Sequence, residues 1–511
     1  MSKAVRVLVI VVAVAAVVAR FLIRSPMWLD EALTVNIAKG SVAQIADHLH
    51  RDGHPPLYYV LLHGWMGVFG EGDRAVRALS GVISLACLPL IWAAGKRVGG
   101  IRVAECSVVA LALSPFFLRY GSEARMYSLV MVEVLVGFLL VSDVIDGRPT
   151  WWRYVGIALV TSALLWTHYW SFWLIGAAGV LLVVHWWRHR GEATSWWRTP
   201  AVGVLASAAV GALTFLPWLP TLLYQSAHTG TPWAKSFRPT TLVFTSLVDF
   251  AGGPYSEPQI LMLALVLLMF IGLTAVALDA SRLEIDLHTR PDTRRVMWVV
   301  AGTIAIASLA GLATGMAFAP RYASFYFPFV MIIVGLGLSR FLPGRAHDVV
   351  WIVVVVLSLA GLAVVFRLQR SQAGEVADAI SARASSGLVV ACPDQLGPSL
   401  SRALDKTGNP YDVRSYPRLD SPRFVDWVDY AERNARNDPA AIAKQVAAEA
   451  GDRPLFVVFR DDFETLKGQC ASLVVNLGAT RPSKQLVTGD GDGYYEPMSV
   501  IQFDQPVPPG R

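Results

Sequence analysis

Charge is scarce in this sequence: 16% of its 511 residues are Asp, Glu, Lys or Arg, where soluble domains carry about 25%. With 54% hydrophobic residues and a mean hydropathy of +0.47, that shortage excludes an ordinary soluble chain and puts the protein in lipid. Cysteine is scarce too, with four residues. Cys87 and Cys106 fall in apolar runs and Cys392 and Cys470 in a polar tail, so no Cys/His cluster of a zinc site is assembled, and the tail pair is a candidate disulfide if the tail lies outside the cytoplasm. There is no Walker loop and no GxGxxG placed after a strand, which removes two common nucleotide cradles. Residues 489–493 alternate Gly and Asp but lack the ligand spacing and closing Glu of a calcium loop, and read as a turn. Asp30 and Glu31 offer two adjacent carboxylates to a divalent cation, too few to define a site, so such a cofactor is left open but not indicated. The formal charge of +6 does not mark a nucleic-acid binder, because Lys and Arg sit in short clusters between apolar runs, as cytoplasmic anchors of membrane helices do.

What is abundant is apolar sequence in long runs. A spanning helix needs about 20 mostly apolar residues. Runs near 4–23, 75–94, 103–119, 125–142, 153–168, 170–187, 200–218, 258–278, 296–318, 322–339 and 349–366 predict an α-helical membrane bundle of about eleven transmembrane helices. The first run follows Lys3 and has no small-residue cleavage site before Arg24-Ser25-Pro26, so it reads as an uncleaved helix. Pro55 to Gly70 is apolar but short, and His63, Gly64 and Gly67 interrupt it. Leaving it out of the span count puts Lys96, Arg97, Arg102, Arg148, Arg153, Arg188, Arg190, Arg198, Arg282, Arg294, Arg295, Arg340 and Arg345 on the cytoplasmic side, as the positive-inside rule expects; counting it inverts all of them. The expected topology is therefore a multi-pass plasma-membrane protein with a cytoplasmic N-terminus. Its first extracytoplasmic loop, 24–74, then holds juxtamembrane helices: Pro55–Gly70, and Ser41–His50, where Val42, Ile45, Ala46 and Leu49 recur at helical spacing.

A second long extracytoplasmic loop, 219–257, carries Tyr224, Gln225, His228, Trp233, Lys235, Arg238 and Asp249 and is expected to fold over a substrate. From 367 to 511 the pattern changes to soluble helices and strands, with Leu388–Ala391, Leu455–Phe459 and Ser499–Phe503 as buried strands and Pro439–Ala450 as a helix. This is an expected C-terminal α/β domain, extracytoplasmic by span parity, beside a transmembrane domain of residues 1–366.

The outer ends of the expected helices gather polar residues: Asp30 and Glu31 after helix one, His54 before Pro55-Pro56-Leu57-Tyr58-Tyr59, Glu123, Arg125 and Tyr127, then His168-Tyr169, and Arg321-Tyr322 after Pro320. A carboxylate can take a proton from an acceptor hydroxyl, and an Arg fork can hold a phosphate and stabilise its charge as it leaves. Each residue also has a plain structural reading, Asp30 as an N-cap, Glu123 and Arg125 as an interface pair, His168 as a satisfied helix-end histidine, Arg321 as a snorkelling cation. Glu133, inside an apolar run, points into the bundle rather than to lipid.

In order and spacing, Asp-Glu after helix one, His54-Pro-Pro-Leu-Tyr-Tyr59, Arg77-Ala-Leu-Ser-Gly81, Leu113-Ser-Pro115, Glu123-Ala-Arg-Met-Tyr127 and Thr167-His-Tyr169 resemble the C-type (GT-C) glycosyltransferases of the protein-mannosyltransferase and aminoarabinose-transferase-like branch. The resemblance is clearest over residues 24–175 and looser to 340. It implies inverting transfer of a sugar, mannose- or arabinose-like, from a polyprenyl-phosphate donor to a hydroxyl acceptor on a cell-envelope glycan, lipoglycan or protein. By the same resemblance Asp30 is the general base with Glu31 as its neighbour, and His54, Arg321 and Tyr322 bind the donor phosphate. Tyr58, Glu123, Arg125, Tyr127, His168 and Tyr169 are polar residues of the active face. His54 stands where the aminoarabinose branch has lysine, and the C-terminal domain has no match to the sugar-binding repeats of eukaryotic protein mannosyltransferases. Two readings from other classes compete. A transporter or lipid flippase would place its polar residues near the midplane in repeated halves, and no repeat is visible. A non-catalytic envelope-assembly protein would use the bundle as an anchor for the tail.

Overall fold

The structure is a computed structural model that describes residues 1–189, 199–229, 237–254, 256–280, 282–461 and 463–505. Arg190, Arg198, Trp233 and Lys235, which the sequence places in loops, lie outside these described residues. Helix α1 (Lys3–Ala19) leads into three short helices, α2 (Leu29–Ala38), α3 (Val42–Asp52) and α4 (Leu57–Phe69). The bundle continues with α5 (Asp73–Ala112), α6 (Pro115–Gly121), α7 (Tyr127–Ile145), α8 (Trp151–Thr167), α9 (Ser171–His189), α10 (Pro200–Leu213), α11 (Leu219–His228), α12 (Pro239–Phe250) and α13 (Ser256–Thr274). A small hairpin of β1 (Ala275–Ala277) and β2 (Leu283–Ile285) precedes α14 (Arg294–Thr314), α15 (Phe327–Arg340) and α16 (Arg345–Arg367).

The expectation of about eleven spans is corrected. Among the described residues five helices are long and apolar enough to cross a membrane, namely α5, α7, α9, α14 and α16, and a sixth results if α10 and the Leu216–His228 segment, bent by 42°, count as one. Apolar runs measure composition, whereas helix length is set by where the chain turns. Helices α1 and α8 stop at 17 residues and α15 at 14, and α5 takes up two of the expected runs in one 40-residue element broken at Gly99 and Gly100. The chain is a polytopic α-helical membrane bundle all the same.

Helix α15 is apolar all round and buried from Phe327 to Ser339, the signature of a helix enclosed by others. It lies so close to α13 that a Cβ on Gly337 would sit 2.0 Å from the Leu268 carbonyl oxygen, an approach only glycine permits.

After α16 comes an α/β domain. Strands β3 (Gln369–Ser371), β4 (Gly387–Cys392), β5 (Tyr411–Ser415), β6 (Leu455–Phe459), β7 (Ser483–Val487), β8 (Tyr494–Glu496) and β9 (Ser499–Phe503) include those read from the sequence, and Pro439–Ala450 is helical as expected. The main sheet has the order β5-β4-β6-β9-β7, parallel over β5-β4-β6 and antiparallel beyond, while β3 pairs with β8. Cys392 at the end of β4 is disulfide-bonded to Cys470.

This domain sits on the first loop. Asp73 at the start of α5 pairs with Arg402 at 2.9 Å and with Lys406, the Arg51 carbonyl accepts from the Trp427 amide, and the His228 carbonyl accepts from the Asp429 amide. The expected second loop is mostly helical, as α11 and α12. Its Gln225 donates to the Leu49 carbonyl at 2.7 Å, so α11 buttresses α3. None of its described residues lines the cavity described next.

Candidate active site

Helix α2 begins without a side-chain N-cap of its own. The unpaired Leu29 amide is satisfied from β8, by Glu496 Oε1 at 2.9 Å, as a capping side-chain oxygen does for a helix N-terminus. Glu496 Oε2 accepts from Ser371 Oγ at 2.6 Å, and burial pushes its carboxyl up to about 7.

Asp30 and Glu31 follow in the first turn, and successive residues of a helix point about 100° apart. Glu31 turns inward and is fully buried. It accepts from Arg77 Nε at 2.7 Å and Nη2 at 2.6 Å, from Arg370 Nη1 at 2.7 Å and from the Ala124 amide at 3.0 Å. Burial alone would raise the Glu31 carboxyl; the Arg370 and Arg77 guanidiniums overcome this and hold it at about 2. Every acceptor site of Glu31 is thus committed to a two-arginine junction between loop, bundle and soluble domain.

Asp30 turns the other way, into a cavity of about 400 Å³. Its Oδ2 lies 3.4 Å from Arg321 Nη2 and 4.0 Å from Arg125 Nη2 and accepts no hydrogen bond. His54, Arg125, Arg321 and Tyr322 line the same cavity, and the soluble domain contributes Gln395, Trp427, Arg460, Tyr495 and Glu496.

The cationic wall is rigidly built. Gly53 ends α3 with φ +92°, in the left-handed region that glycine favours, and turns His54 toward the bundle ahead of the Pro55-Pro56 step into α4. Arg125 Nη2 donates to His54 Nε2 at 3.1 Å. Since a guanidinium only donates, His54 carries its proton on Nδ1 and donates it to Asp52 Oδ2 at 3.0 Å. Arg125 Nη1 donates to Thr34 Oγ1 at 2.8 Å and to the Tyr59 hydroxyl at 3.2 Å. Arg321 lies on a 3₁₀ turn, Pro320–Phe325, rather than on the helix expected there. Its guanidinium stacks between Trp28 and Tyr322, 5.6 and 5.7 Å from the ring centroids.

The remaining expected residues form a second layer that does not line the cavity. Tyr58 donates to Ser80 Oγ at 2.8 Å, and Ser80 holds the Arg125 carbonyl at 3.0 Å. The His168 ring packs 5.0 Å from Tyr322 and 5.8 Å from His54, and Tyr127 packs behind it. Tyr169 hydrogen-bonds Gln225 and Trp218. Glu123 lies near Arg119 and Arg370 beside a small separate void, its carboxyl pushed up by burial. Glu133 is buried, as expected, and accepts from Thr167 Oγ1 at 2.8 Å. Among the described residues no cluster of His, Cys, Asp and Glu suited to a metal ion is present.

Sequence reasoning missed Trp28, Asp52, Arg77, Arg370 and the soluble-domain wall. Arg77 stood inside a motif already noted, but the C-terminal residues carried no local signal, because their role depends on how the domain docks.

The profile of the family described as dolichyl-phosphate-mannose-protein mannosyltransferase matches residues 53–220. No curated protein matches the whole sequence closely enough to be paired with it. Among solved structures the chain is similar to ArnT from Cupriavidus metallidurans bound to undecaprenyl phosphate, with a TM-score of 0.58 and 13% identity over 98% of each chain. It is similar to the apo form of the same protein with a TM-score of 0.59 and 14% identity over 97% of each chain. A fit over nearly the full length of both chains, soluble domain included, gives this protein the polytopic C-type glycosyltransferase (GT-C) fold.

Proposed function

We propose that the protein is an inverting membrane glycosyltransferase that moves a sugar from a polyprenyl-phosphate donor to a hydroxyl acceptor. The observation that carries this reading is the setting of Asp30: a carboxylate whose Oδ2 accepts no hydrogen bond, flanked by two fixed guanidiniums in a polar cavity. A donor phosphate entering between Arg125 and Arg321 pairs with the Arg321 guanidinium and with the Nη2 proton of Arg125 that His54 does not accept, and leaves Asp30 as the base. The acceptor oxygen forms its bond to the anomeric carbon on the face opposite the phosphate while the carbon–phosphate oxygen bond breaks. The electron pair goes to the phosphate, held by the arginines, and the acceptor proton goes to Asp30. Tyr322 and His54 shape the phosphate end, His54 by orienting Arg125. Glu31 is a positioning residue in this scheme. The undecaprenyl phosphate bound to ArnT in one of the similar structures supports the donor class. The sugar is proposed to be mannose- or arabinose-like and the acceptor a cell-envelope glycan, lipoglycan or protein. The site and the soluble domain are proposed to face outward from a cytoplasmic N-terminus.

The test is transfer of radiolabelled mannose or arabinose from polyprenyl phosphate by purified protein and its Asp30→Asn variant. The variant is expected to bind undecaprenyl phosphate as the parent does and to lose about 10²–10⁴-fold in kcat. Parental turnover in a folded Asp30→Asn protein would remove the base assignment. Arg321→Ala is expected to raise the donor KM.

A further inference from the structure

At the ends of α7, α9 and α14 remote from the polar cavity, the three helices enclose an apolar groove of about 750 Å³. Its remoteness follows from the chain: α7 runs from Tyr127 at the cavity side to Ile145, α9 from Ser171 beside His168 to His189, and α14 ends at Thr314 close before Phe318 of the cavity wall. Along α9 the groove begins at Ala178, about 10 Å from Ser171, and its basic rim at Arg188 lies about 25 Å from that end. Helices α9 and α14 meet at mid-height, where a Cβ on Gly302 would lie 3.4 Å from the Ala177 methyl. They part below that point, which leaves the groove open between Leu181, Leu182 and Trp298.

The rim is basic. His185, Arg188, His189, His288, Arg294 and Arg295 line it, and among the described residues none of the lining ones is acidic; His288 is hydrogen-bonded to Asp286 at 2.8 Å. Arg295 Nη1 is held by Asp146 at 2.6 Å, and Arg294 Nε donates to the Thr289 carbonyl at 3.0 Å. Those contacts leave the terminal nitrogens of Arg294 available to an anion. Arginines gathered at one end of an apolar, helix-walled slot, with an exposed Trp298 at its edge, complement a phosphodiester carrying acyl chains. The positive-inside rule accounts for basic residues in loops; it does not account for their gathering around one concave slot.

We propose that this groove is a binding site for an anionic diacyl phospholipid of the leaflet away from the polar cavity. Arg188 and Arg294 hold the phosphate, and the acyl chains lie along Phe138, Leu181, Leu182 and Trp298. The site is separate from the proposed reaction and does not depend on it.

The experiment is native mass spectrometry of the full-length protein after exchange into nanodiscs of equal phosphatidylglycerol and phosphatidylcholine. Phosphatidylglycerol is expected to be retained selectively. Arg188→Gln with Arg294→Gln is expected to cut that selectivity about twenty-fivefold, at roughly fivefold per arginine. Ala178→Trp, which fills the slot while keeping every charge, is expected to remove the retained lipid as well. Equal retention of the two lipids by the parent, or phosphatidylglycerol selectivity unchanged in a monodisperse double variant, would overturn the proposal. If the double variant does not fold, Arg188→Gln alone and Ala178→Trp decide the question.

Discussion

Asp30 and Glu31 are chemically near-identical neighbours with opposite surroundings. Glu31 is sealed among Arg77, Arg370 and the Ala124 amide, and Asp30 opens to the cavity. Removing the Glu31 charge leaves two buried guanidiniums without their counter-ion, which costs about 3–5 kcal/mol. Glu31→Gln is therefore expected to lower the thermal midpoint and to expose the linker after Arg367 to protease, whereas Asp30→Asn leaves both unchanged. The Glu31 carboxyl is held below its ordinary 4.5, at about 2. Its contribution is present in full above pH 4.5 and is lost as pH falls through about 2. Across the neutral range it stays ionised, so it contributes no inflection to a pH–activity profile there.

At the scale of elements, α2 depends on β8 for its cap. Glu496 has its carboxyl raised from 4.5 to about 7, so the folded state holds a proton that the unfolded chain releases between those values. The stability this carboxyl lends to the α2–β8 contact is complete below pH 4.5 and is lost as pH rises through about 7, at about 1.4 kcal/mol per pH unit within that window. Hydrogen exchange of the Leu29 amide is expected to accelerate between pH 6 and 8 beyond the intrinsic rate, and Glu496→Gln to abolish the excess. Inside the bundle, Gly337→Ala forces α15 away from the Leu268 carbonyl. It is expected to cost about 1–3 kcal/mol, read as a lower thermal midpoint with donor affinity per folded molecule retained.

At the scale of the whole molecule, the features legible in the sequence are those encoded locally. The α3 and α4 helices of the first loop and the strands Leu455–Phe459 and Ser499–Phe503 follow from periodicity and turn residues, and Asp30, His54, Arg125, Arg321 and Tyr322, each flagged by its place at an expected helix end, line one cavity. The span count did not survive, because apolar runs such as the one ending α15 are shorter helices buried by neighbours. The role of Glu31 and the whole soluble-domain wall were illegible, because Arg370 and Glu496 reach residues hundreds of positions earlier. A chain ending at Arg367 is expected to insert in the membrane yet to bind undecaprenyl phosphate more weakly in a filter assay, since it lacks one wall of the cavity and the cap of α2.

That wall also has a meaning in time. The cavity draws on residues from Trp28 to Glu496, so during synthesis the Asp30 helix waits for a strand made hundreds of residues later. A nascent or prematurely stopped chain holds the Asp30 helix uncapped and the Arg77 junction half-built. The site is completed only when β8 has been made and has docked, so a chain stopped before it competes only weakly for the ligand.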